Sequence, residues 1–269
     1  MDRSSFKRRF VIAACALLLL PLAASASLGT HVQTGVWAMQ GMGPPRILSQ
    51  MSIYRTADAT SIDLVQYQRN QYKPITNYVN DESHPMHLIL LRDDFRELTH
   101  LHPTMSRGHF KTAITLAAGH RYYVYADSTP YGIGQQVYRF QLREGPIPRT
   151  QSTAVDVSNP TTSVGPYTVR VSTTRMIAGR KTMLHIFFNK DGKPATDVEP
   201  YSDRPAHAIL INTSNLDYLH VDPVREPKGT ESELRLPLPP IGPHASYKLW
   251  LQFKGGTTLY TAPFTIVAK

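Results

Sequence analysis

Met86-His87-Leu88-Ile89-Leu90-Leu91-Arg92-Asp93-Asp94-Phe95-Arg96-Glu97-Leu98-Thr99-His100-Leu101-His102-Pro103 is the stretch on which the reading of this 269-residue chain turns. It joins a wholly apolar run of strand length to a polar turn and a second short run closed by proline, the pattern of a buried strand entering a hairpin. With Asp93 to Arg96 as a four-residue loop, Arg92 pairs with Glu97, His87 faces His102 and His100 faces Ile89. Alternate residues of a strand share a face, so all three imidazoles then project to one side. A loop one residue longer puts His87 and His102 on opposite faces.

The hairpin recurs further along the chain. His207 − His87, His220 − His100, Pro223 − Pro103 and Lys193 − Lys73 all equal 120, and 10 of the 40 positions from Leu64 to Pro103 are identical without a gap. Tyr122-Tyr123-Val124-Tyr125 aligns with Tyr247-Lys248-Leu249-Trp250 at 247 − 122 = 125, and Phe140 with Phe264 at 264 − 140 = 124. Short alternating or apolar runs bounded by Gly and Pro continue along the chain, and no long run holds a 3.6-residue apolar spacing. A period near 120 residues with several strands per copy predicts an all-β chain of two tandem immunoglobulin-like β-sandwich domains. The Pro/Ser/Thr-rich stretch Gly145 to Pro166 places the junction near residue 150, giving domains at 27–149 and 150–269.

Residues 1–26 read as a secretory signal peptide: Arg3, Lys7, Arg8 and Arg9 precede an apolar run from Phe10 to Ala24, and Ala24-Ser25-Ala26 is an A-x-A cleavage site. Ile12-Ala13-Ala14-Cys15 resembles a lipoprotein box, but most of the apolar run follows Cys15 instead of preceding it. Cleavage predicts a protein starting at Ser27, periplasmic or extracellular, with no stable membrane span; an uncleaved signal anchor is the alternative. Cys15 is the only cysteine, so that protein has no disulfide, thiolate metal ligand or cysteine nucleophile. The signal carries 4 − 1 = +3, leaving +9 − 3 = +6, and these charges are too scattered to form a nucleic-acid surface.

The histidines carry the chemistry. His87, His100 and His102 are the expected metal ligands, because opposed Cβ atoms ~5 Å apart let imidazoles converge on one ion. His84 and His109 are secondary candidates from flanking loops. The second copy offers His207, His220 and Asp222, a weaker set in which a carboxylate replaces one imidazole. Imidazole suits copper and zinc, with copper placed first; Met86 and Met105 flank the histidine cluster, and Met39, Met42 and Met51 lie in a Gly/Pro-containing segment, thioethers that either contribute to a copper site or fill gaps in a core. The competing explanation makes His87 and His207 core histidines and lets His100 and His220 brace their hairpins. His31, His120, His185 and His244 have no partner recognisable from spacing. Tyr122, Tyr123 and Tyr125 read as strand packing, part core and part surface. No G-x-S-x-G elbow, phosphate-binding glycine loop or H-E-x-x-H follows the signal, so an enzyme is not expected.

The "MHL" strand Met86-His87-Leu88 leading to the turn His100-Leu101-His102-Pro103 resembles the pattern of exported bacterial YtkA-like or FixH-like immunoglobulin-fold domains. Tyr218-Leu219-His220-Val221-Asp222-Pro223 looks like a variant of the same motif, departing from it at Asp222. The resemblance implies the sandwich fold and, for some relatives, copper or other metal handling. A metal ion or an unidentified protein is therefore the expected partner. The rival class is an adhesion or scaffold module whose histidines are structural.

Overall fold

The computed structural model describes residues 31–39, 44–56, 58–69, 71–146, 160–173, 178–201, 204–225, 232–242 and 245–267. The expected signal peptide and the expected junction at residue 150 lie outside them. Every regular element among the described residues is a strand, and none of them forms a helix long and apolar enough to cross a membrane.

The first eleven strands are β1 (His31–Thr34), β2 (Val36–Trp37), β3 (Ile47–Arg55), β4 (Thr60–Gln68), β5 (Tyr78–Val79), β6 (Met86–Arg92), β7 (Leu98–Leu101), β8 (Thr104–Ser106), β9 (His109–Ile114), β10 (His120–Pro130) and β11 (Gln136–Glu144). They form one antiparallel sheet in the order β1-β3-β4-β9-β8 and another in the order β2-β11-β10-β6-β7, with β5 also against β10. The remainder are β12 (Thr161–Val164), β13 (Tyr167–Thr173), β14 (Thr182–Lys190), β15 (Lys193–Pro194), β16 (Val198–Glu199), β17 (His207–Asn212), β18 (Tyr218–Val221), β19 (Glu233–Leu238), β20 (Ser246–Gly255) and β21 (Thr258–Val267). In this half β13-β14-β19 takes the place of β3-β4-β9, and β21-β20-β17-β18 takes the place of β11-β10-β6-β7.

Each half closes over its own apolar core. Met51, Leu64, Met86, Leu88, Phe110 and Val124 belong to the first, and Val169, Ile186, Phe188, Leu210, Leu249 and Phe253 to the second. Strands of such two-layer packing bury the side chains of one face and leave the alternate ones outside. β6 and β17 break that alternation, since Met86 to Leu91 and His207 to Asn212 are buried throughout. The cause is a third cluster: Ile89, Leu91, Phe95, Tyr125 and Val137, on the outer face of the first sandwich, pack against Ile209, Ile211, Tyr218 and Trp250 of the second. Tyr125 stacks on Tyr218 with ring centroids 5.2 Å apart, and its hydroxyl donates to Leu216 O at 3.0 Å. Tyr125, one of the tyrosines read from sequence as strand packing, part core and part surface, is an interface residue.

The β6–β7 hairpin has the register of a four-residue loop: Ile89 lies opposite His100, Leu91 opposite Leu98, and Arg92 N–H donates to Glu97 O at 3.0 Å. Arg92 also clamps the loop through Asp94 at 2.9 Å and Glu97 at 2.7 Å. This register sets the imidazoles on the outer face, toward the second sandwich.

Candidate metal centre

His87 is the first outer-face residue of β6, while its neighbours Met86 and Leu88 point into the first core. His100 projects from the same side of β7, and His102 follows just past the strand end. The ring centroids of His87 and His100 are 5.0 Å apart, of His87 and His102 4.9 Å, and of His100 and His102 4.7 Å. One nitrogen from each ring falls within 4.8 Å of the others, a spacing from which all three can reach one ion. Burial is the leading cause pushing all three imidazoles below their ordinary range, His102 to about 4, and the nearby rings add to it for His100 and His102. Neutral rings keep the lone pairs that metal ligation requires.

The hydrogen bonds around these rings select their tautomers. Gln252 Nε2 donates to Thr261 Oγ1 at 3.2 Å, which turns Gln252 Oε1 toward His100 Nδ1 at 2.8 Å. An amide oxygen only accepts, so His100 carries its proton on Nδ1. On the other side Asp81 O lies 3.2 Å from His87 Nε2, and it too only accepts, which assigns that proton to Nε2. His87 Nδ1 and His100 Nε2 then aim lone pairs at each other across 2.8 Å. A cation between them removes that conflict. Two nitrogens held ~2.0 Å from a tetrahedral ion sit about 3.3 Å apart, so the pair need open by only about half an ångström. His102 Nε2 is buried without a hydrogen-bond partner among the described residues, and it completes the set. A ligating histidine ordinarily passes its second N–H to a carbonyl or carboxylate, which is what Asp81 O and Gln252 supply.

The second set lies against the first, with His87 and His220 ring centroids 5.9 Å apart and those of His100 and His207 6.4 Å apart. His207, fully buried on β17, places Nδ1 2.6 Å from Glu82 Oε1 and 3.4 Å from Asp222 Oδ1. His220 Nε2 is 3.6 Å from the same Asp222 oxygen, and its Nδ1 is 3.5 Å from Asp127 Oδ2. Glu82, His207, His220 and Asp222 form a second group able to hold a metal ion, and Asp81, Glu82 and His87 form a third. Here the electrostatics reverse. Burial works against protonation of His207, but hydrogen bonds to Asp222 and Glu82 outweigh it and raise the ring to about 9. His220 is likewise raised: burial opposes this, and the hydrogen bond to Asp127 overcomes it.

Of the secondary candidates, His84 stacks face to face on His102 with centroids 3.8 Å apart and flanks the cluster. His109 is not brought there: it lies on β9 in the opposite sheet, with Nδ1 2.9 Å from Asp63. Met51 and Met86 belong to the first core and Met105 packs on it, Met39 packs on the interface cluster, and Met42 is outside the described residues. These four thioethers are drawn into apolar packing. His120 and His185 have partners after all, Asp93 at 3.2 Å and Glu233 at 2.8 Å. His244 and the side chain of His31 lie outside the described residues.

Four contributors escaped sequence reasoning: Asp81, Glu82, Asp127 and Gln252. Glu82 sits in the turn Asp81–His84, where Glu82 and Ser83 both have left-handed backbone, at φ 51° and 69°. Asp127 and Gln252 lie on β10 and β20, each reaching a histidine of the other half. One signal for that pair was present: 252 − 127 = 125, the offset of the aligned tyrosine strands.

A polar pocket of 340 Å³ bordered by Asp81, His84, Asp127, Arg204 and Asp222 opens onto the cluster and gives it access to solvent. A family described as a domain of unknown function (DUF8832) matches residues 162–269, the stretch that holds β13 to β21 together with His207, His220 and Asp222. No curated protein matches the chain.

Proposed function

We propose that this is an exported protein that binds a divalent transition metal, copper ahead of zinc, through His87, His100 and His102. What carries the reading is the pair of lone pairs that His87 Nδ1 and His100 Nε2 direct at each other across 2.8 Å, with His102 Nε2 beside them. An all-imidazole set without thioether favours Cu²⁺ over Zn²⁺ by the usual affinity order of divalent ions. Export rests on the N-terminal charge, apolar run and A-x-A site, and the 120-residue offset fits a duplicated domain. Isothermal titration of the full chain with Cu²⁺ and with Zn²⁺ tests the reading. Replacing two of three ligands, in His100→Ala/His102→Ala, is expected to weaken binding by about 100-fold or more. Unchanged affinity in a folded double variant sinks it.

The scaffold reading has one observation in its favour. Asp81, His87, His100 and Gln252 form a continuous chain of polar contacts from one sandwich to the other. Under that reading the double variant loses stability and the wild type takes up no metal.

A further inference from the structure

We propose that Glu82, His207, His220 and Asp222 hold a second divalent ion, so that the cluster is a two-metal centre spanning the interface between the sandwiches. The inference deepens the metal reading of the first cluster and rests on separate ligands. Position by position, the second group reproduces the first. His207 corresponds to His87 (207 − 87 = 120), His220 to His100 (220 − 100 = 120) and Asp222 to His102 (222 − 102 = 120). The ring atoms correspond as well. His100 turns Nδ1 to Gln252 of the other half and Nε2 inward; His220 turns Nδ1 to Asp127 of the other half and Nε2 toward Asp222.

Three features mark a ligand site instead of a buried ion pair alone. First, the inward atoms are already near ligand spacing: Asp222 Oδ1 is 3.4 Å from His207 Nδ1 and 3.6 Å from His220 Nε2, against the about 3.3 Å between ligands of a tetrahedral ion. Second, His207 and His220 have side chains 0% and 6% exposed, and His220 Nε2 has no hydrogen-bond partner among the described residues. Third, Glu82 enters from the first sandwich, its side chain 1% exposed, and brings the donors to four, a complete tetrahedral set for Zn²⁺. Two imidazoles and two carboxylates suit harder divalent ions such as Zn²⁺, Co²⁺ or Mn²⁺ than the all-imidazole set next to them does.

The test is the stoichiometry of Zn²⁺ and Co²⁺ bound by the full chain, read by elemental analysis after loading and gel filtration. Two ions per chain are expected. Glu82→Gln/Asp222→Asn, which keeps the shape of both side chains, is expected to retain one, and His100→Ala/His102→Ala to retain the other. Circular dichroism checks that each variant is folded, and Asp222→Asn alone serves if the first pair is not. One ion lost in His100→Ala/His102→Ala and kept in Glu82→Gln/Asp222→Asn overturns the second site and leaves the first standing. One ion with the opposite dependence supports the second site and overturns the first. A single ion lost in both variants means one shared site and overturns the two-metal centre; no ion in the wild type overturns both.

Discussion

His102 and Asp222 occupy corresponding positions, and the exchange of imidazole for carboxylate, together with Glu82 and Asp127, reverses the direction in which the surrounding rings are shifted. In the first cluster, burial and neighbouring imidazoles hold His102 down at about 4. In the second, burial is outweighed by Asp222 and Glu82, which hold His207 up at about 9. His207 is faced by Glu82, Asp222, His220, His100 and Tyr201, and His102 by His84, His87 and His100. For the chelator-treated protein the signs follow from linkage. Unfolding returns each ring to ~6.5. His102 then binds a proton more readily unfolded than folded, so its contribution is lost as pH falls from ~6.5 toward about 4. His207 behaves oppositely: its contribution is complete below ~6.5 and is lost as pH rises through about 9. Urea unfolding across pH is therefore expected to show greatest stability near neutrality, and His207→Gln to flatten the alkaline limb. A wild-type profile level from about pH 5 to about pH 9 would falsify this assignment. A metal held through His102 is expected to survive below an ordinary histidine's ~6.5, because burial holds that ring down at about 4.

β6 and β17 show where the sequence was legible and where it stopped. The hairpin register followed from the length of the Asp93 to Arg96 loop, and with it the convergence of His87, His100 and His102, because strand side chains alternate with a fixed period. The runs from Met86 to Leu91 and from His207 to Asn212 also declared burial on both faces. What covers the outer face was not legible, since each strand's cover lies more than a hundred residues away in the other half. Glu82 was invisible for the same reason: nothing in an Asp-Glu-Ser turn says that its side chain ends beside His207. Tyr125 on β10 measures the strength of this cover. Tyr125→Phe removes a hydroxyl from Leu216 O, which still accepts from Arg139 at 3.2 Å, so a loss of about 0.5–1.5 kcal/mol is expected. Tyr125→Ala empties a fully buried ring site stacked on Tyr218 and should cost about 3–5 kcal/mol. Thermal or urea unfolding of the full chain distinguishes the two. An alanine variant within about 1 kcal/mol of wild type means the interface does not depend on this ring.

Across the whole molecule, the two sandwiches meet through corresponding faces: Ile89 with Leu91 and Tyr125 from one half, Ile209 with Ile211 and Trp250 from the other, at offsets of 209 − 89 = 120, 211 − 91 = 120 and 250 − 125 = 125. Such an arrangement is how two copies of one domain pair in an isologous dimer, each using the same patch. In the full chain the halves are tethered, which supplies an effective concentration of order millimolar and keeps the faces together. Cutting the tether removes that advantage and bares the apolar face. An isolated first half, residues 27–149, is therefore expected to fold on its own core and to pair with a second copy through Ile89, Leu91, Tyr125 and Val137. The polar contacts permit this, because His100 of each copy then approaches Asp127 of the other, the contact His220 makes within the full chain at 3.5 Å. Sedimentation velocity at roughly ten to a hundred micromolar should show a dimer, since a specific apolar interface of ordinary size gives micromolar or tighter association. Ile89→Lys should return the fragment to a monomer, placing an unpaired charge in the middle of the contact without touching the inner core. A wild-type fragment that stays monomeric and fully soluble over that range means that the outer faces hold together only through the tether and the histidine–carboxylate cluster, and apolar packing would then lose its place as the main force joining the halves.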